Sequence, residues 1–192
     1  TVIFSPNGNV LASGSYDQSV KLWNINTYQC FKTWQGYSNQ ALSVIFSLDS
    51  KTLVSGGHDQ QIKLWDIETE KVIKALHNHT NWVFSVAFNP KHNFLASGSA
   101  DKAIRLWNIN TGKSIKTFFG HEGVVRSIAF NANGQILASA GDDRAIRLWD
   151  INTAKTSKIL QGHQAEIWSV VFSNDGKILA SASFDSTVKL WN

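Results

Sequence analysis

The chain lacks several things that would settle its class early. It has one cysteine, Cys30, in 192 residues, so no disulfide can form within it, a usage that suits a reducing compartment. No apolar run approaches the roughly 20 residues of a membrane span, and no signal peptide opens the sequence. The expected setting is therefore intracellular, cytoplasmic with the nucleus left open, and without a membrane. Helical periodicity is missing from end to end. Methionine is absent altogether, and the chain opens on "TVIF" and stops at "KLWN", both inside a strand-like pattern. From this we expect a piece of a longer protein. Asn78-His79-Thr80 spells a glycosylation sequon, which without a secretory signal reads as chance.

What is present is a strict period. Trp23, Trp65, Trp107, Trp149 and Trp191 each stand 42 residues after the last. Asp17, Asp59, Asp101, Asp143 and Asp185 keep the same step, as do Ser13, Ser55, Ser97, Ser139 and Ser181 four residues before each Asp. A period of this size marks a repeat architecture and outranks any single local motif. Hydrophobic residues make up 43% and charged residues 17% of the chain, enough apolar surface for a packed core.

Each repeat reads as four short strands. "SVAF", "FLASGS", "AIRLWN" and "KSIKTF" are brief runs rich in Val, Ile, Phe, Ser and Trp. Turn residues separate the first two: "SPNGN", "NPKHN", "NANGQ" and "SNDGK". A four-stranded antiparallel unit that is apolar on both faces is not stable alone, so each must be covered by the next. Units stacked around an axis make a propeller.

The succession of Gly-His, "SVxFS", "LASGSxD" and "KLWD" or "RLWN" resembles the WD repeat over the whole of residues 1–192. The resemblance implies an all-β fold, a β-propeller of four-stranded antiparallel blades. About four and a half to five blades would be present, as a partial propeller with repeats ending near Trp23, Trp65, Trp107, Trp149 and Trp191. It also implies a hydrogen-bonded set of Trp, Ser, Asp and His in each repeat. Three sets are complete: Ser97, Asp101 and Trp107 with His79; Ser139, Asp143 and Trp149 with His121; Ser181, Asp185 and Trp191 with His163. Tyr37 replaces the histidine in another, and a tyrosine cannot relay hydrogen bonds as imidazole does. An open arc would leave apolar blade faces uncovered and prone to self-association.

Three tempting readings weaken once the period is seen. Ser, His and Asp suggest a hydrolase, but an active site is one constellation and this one recurs, so no enzyme is expected. His77-Asn78-His79 suggests a metal, yet His79 belongs to the repeated column, and neither metal nor cofactor is expected. A net charge of +4 suggests nucleic acid. Half of the 18 basic residues, however, fall in two columns: Lys21, Lys63, Arg105, Arg147 and Lys189, and Lys32, Lys74, Lys116 and Lys158. Charges distributed in that way do not build a phosphate-binding patch. We expect them to pack alkyl stems and solvate edges.

If constant columns are scaffold, function belongs where the repeats differ. Three columns resemble residues that line the narrow top face of WD propellers. The first holds Gln40, Trp82, Val124 and Glu166, and the second Leu42, Phe84, Arg126 and Trp168. The third holds Tyr16, His58, Ala100, Asp142 and Phe184. Aromatics and Arg dominate, the composition of protein-binding hot spots. The expected protein-binding residues are Tyr16, His58, Trp82, Phe84, Arg126, Asp142, Glu166, Trp168 and Phe184, serving a scaffold for a protein or peptide partner. A regulatory propeller attached to an enzymatic domain elsewhere, or a reader of modified peptides, is the alternative. Trp34 is assigned to the core, because its column continues as Leu76, Phe118 and Leu160.

Overall fold

The computed structural model describes residues 1–35 and 40–192; Tyr37, the exception in the histidine column, lies outside the described residues. Among the described residues every regular element is a strand of three to six residues, and no helix is long and apolar enough to cross a membrane. The strands make five sheets in which neighbours in space are neighbours in sequence.

Contacts divide the chain into two compact units, Thr1–Val86 and Ala87–Asn192. The first unit contains a sheet of β1 (Val2–Phe4), β2 (Val10–Gly14), β3 (Val20–Asn24) and β4 (Cys30–Trp34). It also contains a sheet of β5 (Ala41–Phe46), β6 (Thr52–Gly57), β7 (Gln61–Asp66) and β8 (Val72–His77). The division falls inside β9 (Val83–Phe88), the first strand of a sheet completed by β10 (Phe94–Ser99), β11 (Ile104–Asn108) and β12 (Ser114–Phe118). The second unit continues with β13 (Val125–Phe130), β14 (Ile136–Gly141), β15 (Ile146–Asp150) and β16 (Thr156–Leu160). It ends in a three-stranded sheet of β17 (Ile167–Phe172), β18 (Leu179–Ser183) and β19 (Val188–Trp191).

The constant aspartates make the turn between the second and third strand of each sheet. One carboxylate oxygen accepts the backbone N–H two residues on, from Ser19, Gln61, Ala103, Ala145 and Thr187, at 2.9 to 3.3 Å. The residue between, whether Gln18, Gln60, Lys102, Arg144 or Ser186, is left-handed with φ of 61 to 70°. That conformation costs a non-glycine residue on the order of 1 kcal/mol, and the side-chain bond to the turn holds it in place.

Packing is face to face. In the first unit Leu22, Trp34, Val44, Phe46, Leu53 and Trp65 form one core, with Trp34 stacked on Trp65 at 5.2 Å. In the second, Ile104, Leu106, Phe118, Val125, Leu137 and Trp149 form another, and Ala138, Ala140, Ile146, Ile167, Val170 and Leu179 a third. Strands β6, β10 and β14 are buried along nearly their whole length, which is why they read as apolar and small rather than alternating. Where backbone ladders do not cross between sheets, serine hydroxyls do. Ser43 accepts the Val86 N–H and Ser127 the Val170 N–H, both at 3.1 Å.

Several members of the basic columns make specific pairings beyond the expected packing of stems and solvation of edges, while Lys158 is exposed as expected. Lys21, Lys63, Arg105 and Arg147 each approach the aspartate four residues earlier, at 4.0, 2.7, 3.7 and 4.0 Å. In the other column Lys32 pairs with Glu70 of the adjacent sheet. Lys116 donates to the carbonyls of Ile151, at 2.7 Å, and Asn152. These lysines tie one sheet to the turn of the next, a contact between residues some forty positions apart that local sequence does not display. In the last sheet apolar groups face solvent: Val188 is 71% and Leu190 70% exposed.

One irregularity aims side chains outward. The pairing of first and second strands slips by a residue between Ala41 and Ser43, Val125 and Ser127, and Ile167 and Ser169. Leu42, Arg126 and Trp168 are therefore left opposite no partner, as bulge residues that the backbone turns away from the ladder. The approach is close: a Cβ on Gly141 would stand 1.7 Å from the Val124 carbonyl oxygen.

Candidate functional site

The constant columns meet in the core. All five tryptophans donate their indole N–H to the serine ten residues earlier: Trp23 to Ser13 at 3.0 Å, Trp65 to Ser55 at 2.7 Å, Trp107 to Ser97 at 2.8 Å, Trp149 to Ser139 at 2.7 Å and Trp191 to Ser181 at 2.8 Å. In the second unit the network runs on. Ser139 lies 2.6 Å from His121 Nε2, and His121 Nδ1 lies 2.8 Å from Asp143. The same contacts link His163 to Ser181 at 2.8 Å and to Asp185 at 2.7 Å. With neutral imidazole each donor finds one acceptor: the indole N–H gives to the serine oxygen, the serine O–H to Nε2, and the Nδ1–H to the carboxylate. The histidine-facing oxygen of Asp143 also accepts the Glu122 N–H at 3.2 Å, and that of Asp185 the Gln164 N–H at 2.9 Å. His79 and Asp101 are largely buried but belong to different units, and each is described within its own.

This arrangement superficially matches a hydrolytic triad. The serines are its weak point as a nucleophile: Ser139 is fully buried and Ser181 nearly so, and each oxygen already accepts from a tryptophan. What the network does chemically is satisfy every polar group that the tryptophan brings into the core.

The variable columns lie outside this layer and form two clusters. In the first unit the His58 imidazole stacks flat on Trp82, centroids 3.8 Å apart and planes 12° from parallel, and Phe84 leans on the same indole at 6.1 Å. Burial holds the His58 pKa below its ordinary 6.5, which keeps the ring neutral and suited to stacking. Tyr16 is exposed and joins neither ring pair.

In the second unit five of the expected residues come together. Bulge residue Arg126 makes a two-pronged ion pair with Asp142, its second prong at 3.2 Å. The guanidinium also lies over the Trp168 ring, 4.4 Å from the centroid. Trp168, the bulge residue of the next sheet, stacks on Phe184 at 6.4 Å and 29°. Arg126, Glu166, Trp168 and Phe184 line an open pocket of about 120 Å³. Trp168 remains 54% and Phe184 72% exposed. Fixed charge-assisted bonds and a rigid stack hold these groups ready, the kind of preorganised aromatic and Arg surface on which binding energy concentrates. Sequence alone points to these residues but not to the bulges, which no residue type announces. Among the described residues no three His, Cys, Asp or Glu side chains gather closely enough to hold a metal ion.

Comparison with known proteins bears on both layers. The family model described as WD domain, G-beta repeat, matches residues 1–24, 28–66, 70–108, 112–150 and 154–192. Shorter likenesses are to Eukaryotic translation initiation factor 3 subunit I. The protein of Aspergillus niger is 53% identical over 34 residues, which cover 18% of this chain and 10% of that protein. Those of Aspergillus terreus and Emericella nidulans are 54% identical over 35 residues, with the same coverage. The chain is thus matched to about a tenth of the length of these relatives, a stretch shorter than one of its own repeats.

Proposed function

The chain belongs to the WD-repeat family, and from that premise we propose that it is a non-catalytic scaffold holding a protein or peptide partner on its exposed variable residues. The observation that carries this reading is the cluster of Arg126, Asp142, Trp168 and Phe184, fixed in position yet open to solvent. Rigid aromatic area beside an oriented guanidinium is hot-spot chemistry. The His58, Trp82 and Phe84 cluster offers the same kind of surface without a formal charge. The basic columns do not compete as a site, because much of their charge is matched by neighbouring aspartates.

The likeness to a translation initiation factor subunit favours a place in a multiprotein assembly of the cytoplasm. The test is capture of the partner by the intact protein, followed by titration with Arg126→Ala and with Lys158→Ala. Loss of about tenfold in affinity for the first, equivalent to about 1.4 kcal/mol, with little change for the second is the expected result. The opposite order would move the binding surface to the outer strands.

A further inference from the structure

Within that reading, we infer that the pocket between Trp168, Phe184 and Glu166 receives a basic side chain, lysine or arginine, from an extended segment of the partner. The inference rests on the scaffold function proposed above and names the chemistry of its second-unit cluster.

Charge is the first support. Arg126 is matched by Asp142 through two bonds, and this leaves the Glu166 carboxylate as the pocket's unmatched charge. Glu166 has no ion-pair partner among the described residues, although it is partly buried and its backbone carbonyl is engaged by Phe184 and Ser183. The pocket is therefore locally acidic on a chain whose net charge is +4. A carboxylate on a partner segment would meet an Arg126 already occupied and a Glu166 that repels it.

Aromatic chemistry is the second support. Indole and phenyl faces attract cations through their quadrupole, most strongly at tryptophan. Trp168 already holds the Arg126 guanidinium at 4.4 Å and stacks on Phe184, so an incoming cation meets the exposed remainder of this ring pair, Trp168 at 54% and Phe184 at 72%. Phe184 extends the apolar wall for the aliphatic stem of an incoming side chain. Size is the third. A pocket of about 120 Å³ falls well below the range typical of small-molecule sites, about 300–1,000 Å³, and suits a single side chain.

The probe is a series of blocked pentapeptides, Gly-Gly-Xaa-Gly-Gly, in which Xaa is arginine, lysine, norleucine or glutamate. The readout is the indole N–H resonance of Trp168 in the intact protein, assigned from the Trp168→Phe variant. Arginine and lysine peptides are expected to move this resonance at millimolar concentration, less so as salt is added, while norleucine and glutamate leave it in place. Glu166→Gln, with an unchanged melting curve, is expected to weaken the basic peptides by about tenfold. Norleucine binding as well as lysine would reduce the pocket to an apolar one and overturn the inference. A response to glutamate, or none to any peptide, would overturn it as well. Failure here is distinct from failure of the scaffold reading: basic peptides that bind while the captured partner ignores Trp168→Ala would sink the latter alone.

Discussion

Asp142 and Asp143 are neighbours in sequence with the same side chain and opposite employment. Asp143 is 8% exposed and spends its oxygens on His121 and on the turn. Asp142 is 28% exposed and holds Arg126 against Trp168. The first recurs every 42 residues; the second gives way to Tyr16, His58, Ala100 and Phe184 at the equivalent positions. One residue of chain separates a layer that holds sheets together from a layer that presents groups to solvent. In the second unit the constant aspartates are the buried ones, because a buried polar group needs its partner, whereas a more exposed position such as 142 is free to vary.

The largest effect expected on the buried side is from Trp149→Ala. The ring is almost wholly buried in the second unit's core, and its loss should cost about 3–5 kcal/mol, read by urea unfolding. A change under about 1 kcal/mol would mean the core does not depend on the column. Next come His121→Ala and Asp143→Ala, each stranding a buried partner at a cost of about 1–3 kcal/mol. Because the two residues act in one network, the double change should cost clearly less than the sum of the singles. Strict additivity would dissolve the network into separate contacts.

Acid offers a finer test. Burial alone would raise the Asp143 carboxyl, but the hydrogen bond from His121, with the N–H groups of Glu122 and Ala145, outweighs it and holds its pKa below the ordinary 3.8. A carboxylate depressed on folding contributes stability that is complete above 3.8 and is lost as pH falls through the native value. Asp143→Asn should therefore flatten the acid-side decline of unfolding free energy without steepening it near neutrality. The smallest effect belongs to Asp142→Ala: a partly exposed ion pair is worth less than about 1 kcal/mol, so unfolding should scarcely change while the Arg126 guanidinium loses its anchor over Trp168.

Much of this was legible in the sequence, for a physical reason. The 42-residue step and the four strands per repeat are written in residue spacing and turn chemistry, whereas the pairing of Trp with Ser was implied by the resemblance to the WD repeat. Trp34 read as core from its column alone, and the structure buries it against Trp65. What stayed hidden depends on register and on neighbouring sheets. The bulges at Arg126 and Trp168 are backbone features with no side-chain signature. The attachment of Lys116 to Ile151 and Asn152 joins residues of different sheets. The two uses of each turn aspartate, one oxygen for the turn and one for histidine, emerge only when the sheet has folded.

The central claim is that stability resides in the constant layer and recognition in the variable one. Its most direct test is a single titration of the captured partner against the intact protein, its Trp168→Ala variant and its Asp143→Ala variant, with the folded fraction measured in each sample. The account predicts that Trp168→Ala loses about tenfold in affinity with an unaltered folded fraction, and that Asp143→Ala loses binding only in proportion to unfolding. A Trp168→Ala protein that binds normally, or an Asp143→Ala protein that is fully folded yet no longer binds, would contradict it.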